Sequence, residues 1–117
     1  GKKRKEKIPD GLIILPDGTK IALEVETRYK KLEVLKTLVA RYRYDIEKIS
    51  RYHCVLIVAS SRLNYAGLKT RLFTLAPEFC GNRFILSDTG MLEQGMCFYQ
   101  NQLIHLEEAF GLLRQKG

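Results

Sequence analysis

The chain of 117 residues has no tryptophan, three prolines and three cysteines. Cys54, Cys80 and Cys97 are odd in number and show no CxxC spacing, which argues against a disulfide framework and against a zinc site. Each of them stands beside apolar residues, and a buried thiol of this kind usually acts as a small hydrophobe. We therefore expect a reducing, cytoplasmic location and give the three thiols no chemistry.

Long apolar runs are also missing. The longest, Leu12 to Leu15 and Cys54 to Ala59, are far too short to cross a bilayer. The lysine-rich start of the chain has no apolar region behind it, so the sequence shows no secretory signal. We therefore expect neither a membrane span nor a membrane partner.

What the sequence does have is enough apolar material for one core. Hydrophobic residues make up 45% and charged residues 28% of the chain, a globular balance. A chain of this length forms one domain rather than two. We expect residues 1–7 to be a basic tail or a linker remnant, and residues 8–117 to be a single α/β domain, part of a larger protein.

Positive charge dominates, with a formal net charge of +7. Much of the excess lies in the opening GKKRKEK, for which a solvated linker, a nuclear-import-like run and a nucleic-acid arm all stay open. A basic chain favours polyanions as partners. We expect a nucleic acid, with DNA favoured over RNA.

Residues 11–26 are predicted to form a β-hairpin. An apolar run from Gly11 to Leu15 is closed by a Pro-Asp-Gly-Thr turn, and Lys20 to Glu26 then alternates. Because side chains in a strand alternate with period two, Glu24 and Glu26 share one face of the second strand.

An amphipathic helix is predicted next, over Lys30 to Ile49, with apolar residues at three- and four-residue steps. Thr27 is a plausible cap near its start. Its basic rim carries the candidate nucleic-acid-binding residues Lys30, Lys31, Arg41 and Arg43.

The segment Tyr52 to Ala59 is apolar on both faces, as in a central strand covered by helices. We expect it to run parallel to the second hairpin strand, so that strand, helix and strand form a right-handed βαβ unit. Beyond it, Ser60-Ser61 is predicted to cap a helix that ends before Pro77. The remaining predicted elements are strands at Phe84–Leu86, Met96–Tyr99 and Gln102–His105, and a helix over Leu106–Gln115.

Pro9-Asp10, the Glu24-Val25-Glu26 triplet and the helix that follows resemble the PD-(D/E)XK nuclease superfamily over roughly residues 8 to 60. In its sequence motifs the segment is similar to replication-relaxation proteins and mobilisation relaxases of conjugative elements. The resemblance implies a restriction-endonuclease-like mixed sheet flanked by helices. It also implies DNA binding in plasmid or mobile-element processing, within a complex that can include protein partners.

The activity implied is a Mg²⁺- or Mn²⁺-dependent phosphodiesterase of the endonuclease or relaxase type, with Asp10, Glu24 and Glu26 as metal ligands. Hard oxygen ligands suit either ion, which would neutralise charge on the phosphate and lower the pKa of bound water. The alternative is a catalytically degraded nuclease fold that serves as a nucleic-acid-binding or protein-assembly module.

The main departure from the family pattern is Glu26, which stands where the pattern has a lysine. A carboxylate cannot donate to and polarise the attacking water as a lysine does. The candidates for a lysine that arrives from the helix are Lys30, Lys31 and Lys36. We favour Lys36, which follows the inward-facing Leu35, and the candidate catalytic set is therefore Asp10, Glu24, Glu26 and Lys36.

The candidate site residues also have simpler, structural explanations. Asp10 is equally well explained as a turn residue. Glu24 and Glu26 could line a solvated edge strand, although the crossover that follows favours an internal strand, where an unpaired carboxylate is costly. Tyr42 fits the core better than a nucleophile, and Tyr29 and Tyr44 could as easily stack on the sheet edge as attack a phosphate.

Overall fold

The computed structural model describes residues 8–116. The predicted basic tail, residues 1–7, lies outside the described residues. The elements in the described part of the chain follow in this order: β1 (Gly11–Ile14), β2 (Lys20–Glu26), α1 (Leu32–Glu47), β3 (Cys54–Ala59), α2 (Arg62–Leu75), α3 (Pro77–Arg83), β4 (Phe84–Asp88), α4 (Thr89–Glu93), β5 (Met96–Tyr99), β6 (Gln102–His105) and α5 (Leu106–Lys116).

The six strands form one mixed sheet whose spatial order repeats the chain order, from β1 to β6. β1 pairs with β2 in antiparallel fashion, β2, β3 and β4 run parallel, and β5 and β6 complete the sheet as antiparallel strands. The predicted hairpin, the parallel crossover and the α/β class are therefore confirmed. β2 is an internal strand, as its position before a crossover indicated.

Two apolar layers enclose the sheet. The face that carries Ala22 and Ile57 packs against α1, α2 and α3. The opposite face, which carries Ile21 and Leu56, packs against α5. α1 and α2 share a face because both connect neighbouring parallel strands by crossovers that advance in the same direction, and such crossovers are right-handed. β3 is buried along its whole length, as predicted for a central strand.

The helix starts show one wrong prediction and one confirmed one. Thr27 does not cap α1, whose N-cap is Lys31 without a side-chain hydrogen bond. In α2 the Oγ of Ser61 accepts a hydrogen bond from the amide of Asn64 at 3.1 Å, so the predicted serine cap is present.

Two short helices were not predicted. α3 begins at Pro77, directly after α2 ends, since proline stops one helix and fits the first turn of the next. α4 is a single turn capped by Asp88, whose Oδ1 accepts from the amide of Met91 at 2.7 Å. No helix in residues 8–116 is long and apolar enough to cross a membrane.

Candidate functional site

The carboxyl ends of the three parallel strands bring two acidic side chains to the same edge. Glu26 of β2 and Asp88 of β4 are both paired in register with Ala59 of β3. Strand alternation places these three residues on the sheet face covered by α1 and α2. The small side chain of Ala59 therefore stands between two carboxyl groups, about two strand spacings apart.

Asp10 lies immediately before β1 and extends its pairing with β2. Its Oδ2 accepts a hydrogen bond from the amide of Val25 at 2.8 Å. The strand register ends at Gly11 opposite Leu23, so the next position brings Asp10 beside Glu24. The side chain is exposed, and it serves the backbone of β2 in the way that a turn or strand-end residue does.

Glu24 is only 2% exposed and lies under α1. The hydroxyl of Tyr42, which is itself fully buried, donates a hydrogen bond to its Oε1. Burial raises the pKa of Tyr42, and the hydrogen bond to Glu24 and the nearby negative charge raise it further. Tyr42 is therefore a core residue, as expected, and it stays protonated so that it can donate to Glu24.

Glu26 is 5% exposed and contacts one of the three candidate lysines. The Nζ of Lys30 lies 3.4 Å from Glu26 Oε2. Lys36 is exposed and stands two helical turns before Arg43, on the flank of α1 that faces α3. That flank is turned away from β1 and Asp10. The lysine that the structure brings to a hairpin carboxylate is thus Lys30.

The implied metal centre can be tested against these contacts. Asp10, Glu24 and Glu26 are hard oxygen donors, but each already holds a protein donor: an amide, a hydroxyl and an ammonium group respectively. In residues 8–116 no three histidine, cysteine, aspartate or glutamate side chains are grouped closely enough to hold an ion. The three carboxylates bond within the protein as they stand, and binding of Mg²⁺ or Mn²⁺ stays a prediction.

Asp88 was not among the predicted site residues. It is 3% exposed, and its Oδ2 has no hydrogen-bond partner. The pKa of the neighbouring Tyr65 is raised, chiefly by burial and then by the charge of Asp88. A sequence signal exists: an aspartate directly after an apolar strand marks the carboxyl end of that strand, where sites of α/β sheets gather.

The four predicted nucleic-acid-binding residues lie at two places rather than one. Lys30 and Lys31 stand at the start of α1, beside the carboxyl ends of the strands. Arg41 and Arg43 lie near the other end of the helix, on different flanks of it. Arg43 also forms an ion pair with Glu47 at 3.4 Å and covers the ring of Phe79.

An arginine that the sequence did not single out lies close to the first of these places. The Cζ of Arg71, from α2, stands 4.3 Å from the centre of the Tyr29 ring. Tyr29 belongs to the loop between β2 and α1 and is 65% exposed. This loop, residues 27–31, carries three basic side chains around the tyrosine, namely Arg28, Lys30 and Lys31.

A cavity of about 650 Å³ lies at the opposite, amino end of the parallel strands. Its lining includes Arg43, Glu47, His53, Arg83 and Tyr99. Two of the polar side chains there bond to the backbone: Arg83 donates to the carbonyl of His53, and Tyr99 donates to the carbonyl of Asn82, both at 3.0 Å. His53 Nδ1 accepts from the amide of Lys20 at 3.2 Å, which gives this histidine a structural role.

Comparisons of the chain with models of protein families, with curated proteins and with solved structures find no match. The resemblance to the PD-(D/E)XK superfamily therefore depends on the residues of the hairpin and on the order of elements around them.

Proposed function

We propose that this domain binds DNA through a basic surface, and that the carboxyl groups of its nuclease-like hairpin act mainly within the protein. The proposal rests on the difference in burial between acidic and basic side chains. Among the described residues the buried charged side chains are all acidic: Glu24, Glu26, Asp45 and Asp88. Every lysine and arginine of residues 8–114 keeps at least part of its surface exposed.

This distribution makes the accessible surface more basic than the composition alone implies. Exposed cations attract a polyanion and release its counterions on contact, which is the main source of sequence-independent affinity for DNA. The β2–α1 loop is the strongest local feature, because Arg28, Lys30 and Lys31 lie within four residues. We place the principal phosphate contacts there.

The test compares the two ends of α1. Arg28→Gln with Lys31→Gln removes two cations from the loop and leaves the Lys30–Glu26 ion pair intact. Arg41→Gln with Arg43→Gln removes the same charge from the far end of the helix. Binding of labelled single-stranded and duplex DNA is measured by fluorescence anisotropy over a series of salt concentrations.

We expect affinity to fall steeply with salt, and the loop variant to lose about tenfold at low salt with a salt slope smaller by about 2. The helix-end variant should lose clearly less. Absence of DNA binding, or binding that is constant between low and high salt, would contradict the proposed function. Equal losses in both variants would contradict the placement of the contacts.

The restriction-endonuclease-like arrangement and a role in processing mobile-element DNA are part of the same proposal. The order of hairpin, crossover helix and central strand supports the first, and the Pro-Asp-Gly and Leu-Glu-Val-Glu segments of the hairpin support the second. Protein partners in a DNA-processing complex fit a binding module better than a free-standing enzyme.

A metal-dependent nuclease is the second candidate. Glu26 stands where the family pattern has a lysine, but Lys30 brings an ammonium group to within 3.4 Å of the Glu26 carboxylate. The DNA samples are therefore also incubated with Mg²⁺ or Mn²⁺. Cleavage that is lost in Glu24→Gln and in Lys30→Gln would establish this candidate. Intact DNA under the same conditions would leave the domain as a binding module.

A further inference from the structure

Among the described residues, the ring of Tyr29 has one aromatic or cation–π contact, with the guanidinium of Arg71. The Arg71 guanidinium stands 4.3 Å from the ring centre, which is the distance of a stacked cation–π pair. Since the side chain of Tyr29 is 65% exposed, much of the ring that Arg71 leaves uncovered faces solvent.

Arg71 is positioned by the absence of a side chain one turn earlier on α2. A Cβ at Gly67 would lie 3.0 Å from Nη1 of Arg71, closer than most real contacts of this kind. Long side chains of a helix point toward its start, so the guanidinium passes over residue 67 on its way to Tyr29. Glycine in the middle of a helix lowers helix stability, and here the space that it leaves is occupied by the arginine.

The charge of Arg71 is not neutralised within the described chain. Its Nε is buried and has no hydrogen-bond partner, and Arg71 forms no ion pair with a described carboxylate. The guanidinium of Arg71 lies over Tyr29, and the loop of Tyr29 also carries Arg28 and Lys31, so a flat ring and several positive charges belong to one short segment and its neighbour.

This combination matches the two chemical parts of a nucleotide in a single strand. Aromatic side chains stack on unpaired bases, and neighbouring cations hold the backbone phosphates. In a duplex the base faces are covered by the neighbouring base pairs, so a duplex can use the cations but not the ring.

We propose that Tyr29, oriented by Arg71, is a stacking platform for one base of single-stranded nucleic acid. This inference rests on the proposed function, and it specifies the substrate class: the domain prefers a single strand, and one base lies on the open face of Tyr29. Arg71 is a positioning residue that keeps the ring in place and adds charge.

The experiment uses Tyr29→Leu, which removes the ring but keeps apolar bulk, and Tyr29→Phe, which keeps the ring. Tyr44→Leu is the matched control, because Tyr44 is a second exposed tyrosine, 48% exposed, located further along α1. The probes are oligothymidine and oligouridine strands with a single 2-aminopurine, and a duplex of the same length. Thermal melting confirms that each variant is folded.

We expect Tyr29→Leu to weaken single-strand binding about tenfold and to abolish quenching of 2-aminopurine fluorescence, with duplex affinity unchanged. Tyr29→Phe and Tyr44→Leu should bind both probes like the original protein. Arg71→Lys keeps the charge but loses the flat guanidinium, so it should reduce quenching with little effect on the salt slope. Gly67→Ala should act in the same direction as Arg71→Lys, and more weakly.

The outcomes separate the two proposals. If Tyr29→Leu binds single strands as tightly as the original protein, the stacking platform is overturned while DNA binding stands. Equal losses for single strand and duplex would also overturn it, because the ring would then contribute no preference. If neither probe binds the original protein, both the proposed function and the platform fail.

Discussion

The two ends of the parallel strands differ in what they offer a ligand: the amino end has a cavity lined by charged groups, and the carboxyl end has an exposed ring and basic side chains. At the amino end a cavity is lined by charged residues, of which Arg43 pairs with Glu47 and Arg83 donates to a backbone carbonyl. At the carboxyl end, Asp88 Oδ2 is buried without a hydrogen-bond partner. The exposed ring of Tyr29 is stacked on Arg71, and the buried Nε of Arg71 also has no hydrogen-bond partner.

This difference argues against locating function by cavity size. Groups that already bond within the protein, such as Arg83, offer a ligand fewer hydrogen bonds, whereas buried polar atoms without partners are costly and persist where something else compensates them. We therefore place the candidate site at the carboxyl end. It is also the edge at which ligands of α/β sheets usually bind.

The largest expected effect is at alkaline pH and concerns the interior toward the amino end. Burial raises the pKa of Cys54 and of Cys80 from about 9 to about 12, and that of Tyr99 from 10 to about 12. The unfolded chain releases these protons at lower pH than the folded chain does. The free energy of unfolding is therefore highest below pH 9 and should fall by several kcal/mol as the pH rises through 10 and above.

The measurement is the urea midpoint at pH 8, 9, 10 and 10.5. Tyr99→Phe removes one ionisable group at the amino end, so its midpoint should fall less steeply above pH 10. A midpoint that stays flat up to pH 10.5 would show that these groups are not sealed from water as the fold implies.

A smaller effect is expected from the buried pair beneath the carboxyl end. Tyr42→Phe keeps the ring that packs edge-on against Tyr52 and Phe84 but removes the donor to Glu24. Loss of a hydrogen bond to a buried carboxylate should lower the free energy of unfolding by about 1–3 kcal/mol. Tyr52→Phe is the control and should cost much less. Equal costs in urea unfolding would mean that Glu24 is not held by Tyr42.

The smallest effect compares the two buried carboxyl groups that each leave one oxygen without a partner, Asp88 and Asp45. Asparagine keeps the shape and one acceptor but removes the charge. Both Asp88→Asn and Asp45→Asn should raise the free energy of unfolding by about 0.5–1 kcal/mol. Only Asp88→Asn should also tighten DNA binding slightly, because it lies near the proposed contacts. An equal gain in DNA affinity from Asp45→Asn would remove the distinction between the ends.

Much of the fold was predictable because its signals are local. Alternation in β2, the helical stripe of α1 and the unbroken apolar run of β3 each reflect one element and its nearest cover. The strands Met96–Tyr99 and Gln102–His105 were placed at their observed bounds. Their two-residue turn has positive φ at both Gln100 and Asn101, the geometry favoured between antiparallel strands.

The candidate site was predictable only in part, because some of its contacts depend on packing between distant segments. The nearness of Asp10 to Glu24 follows from hairpin register alone. The approach of Lys30 rather than Lys36 depends on where α1 begins, which the sequence misplaced by assigning the cap to Thr27. Arg71 and Tyr29 are more than forty residues apart in the sequence, and no local sequence pattern predicts their contact.

The agreement between strand order and chain order has a consequence for how the protein folds. Every strand pairs with the strand that came just before it, so the sheet can grow outward from the β1–β2 hairpin by adding one unit at a time. Loops closed at each step are short compared with those of a sheet in which late strands insert between early ones, and short loops lose less entropy. Folding rates rise as contacts become more local, so we expect this domain to fold rapidly compared with other mixed α/β domains.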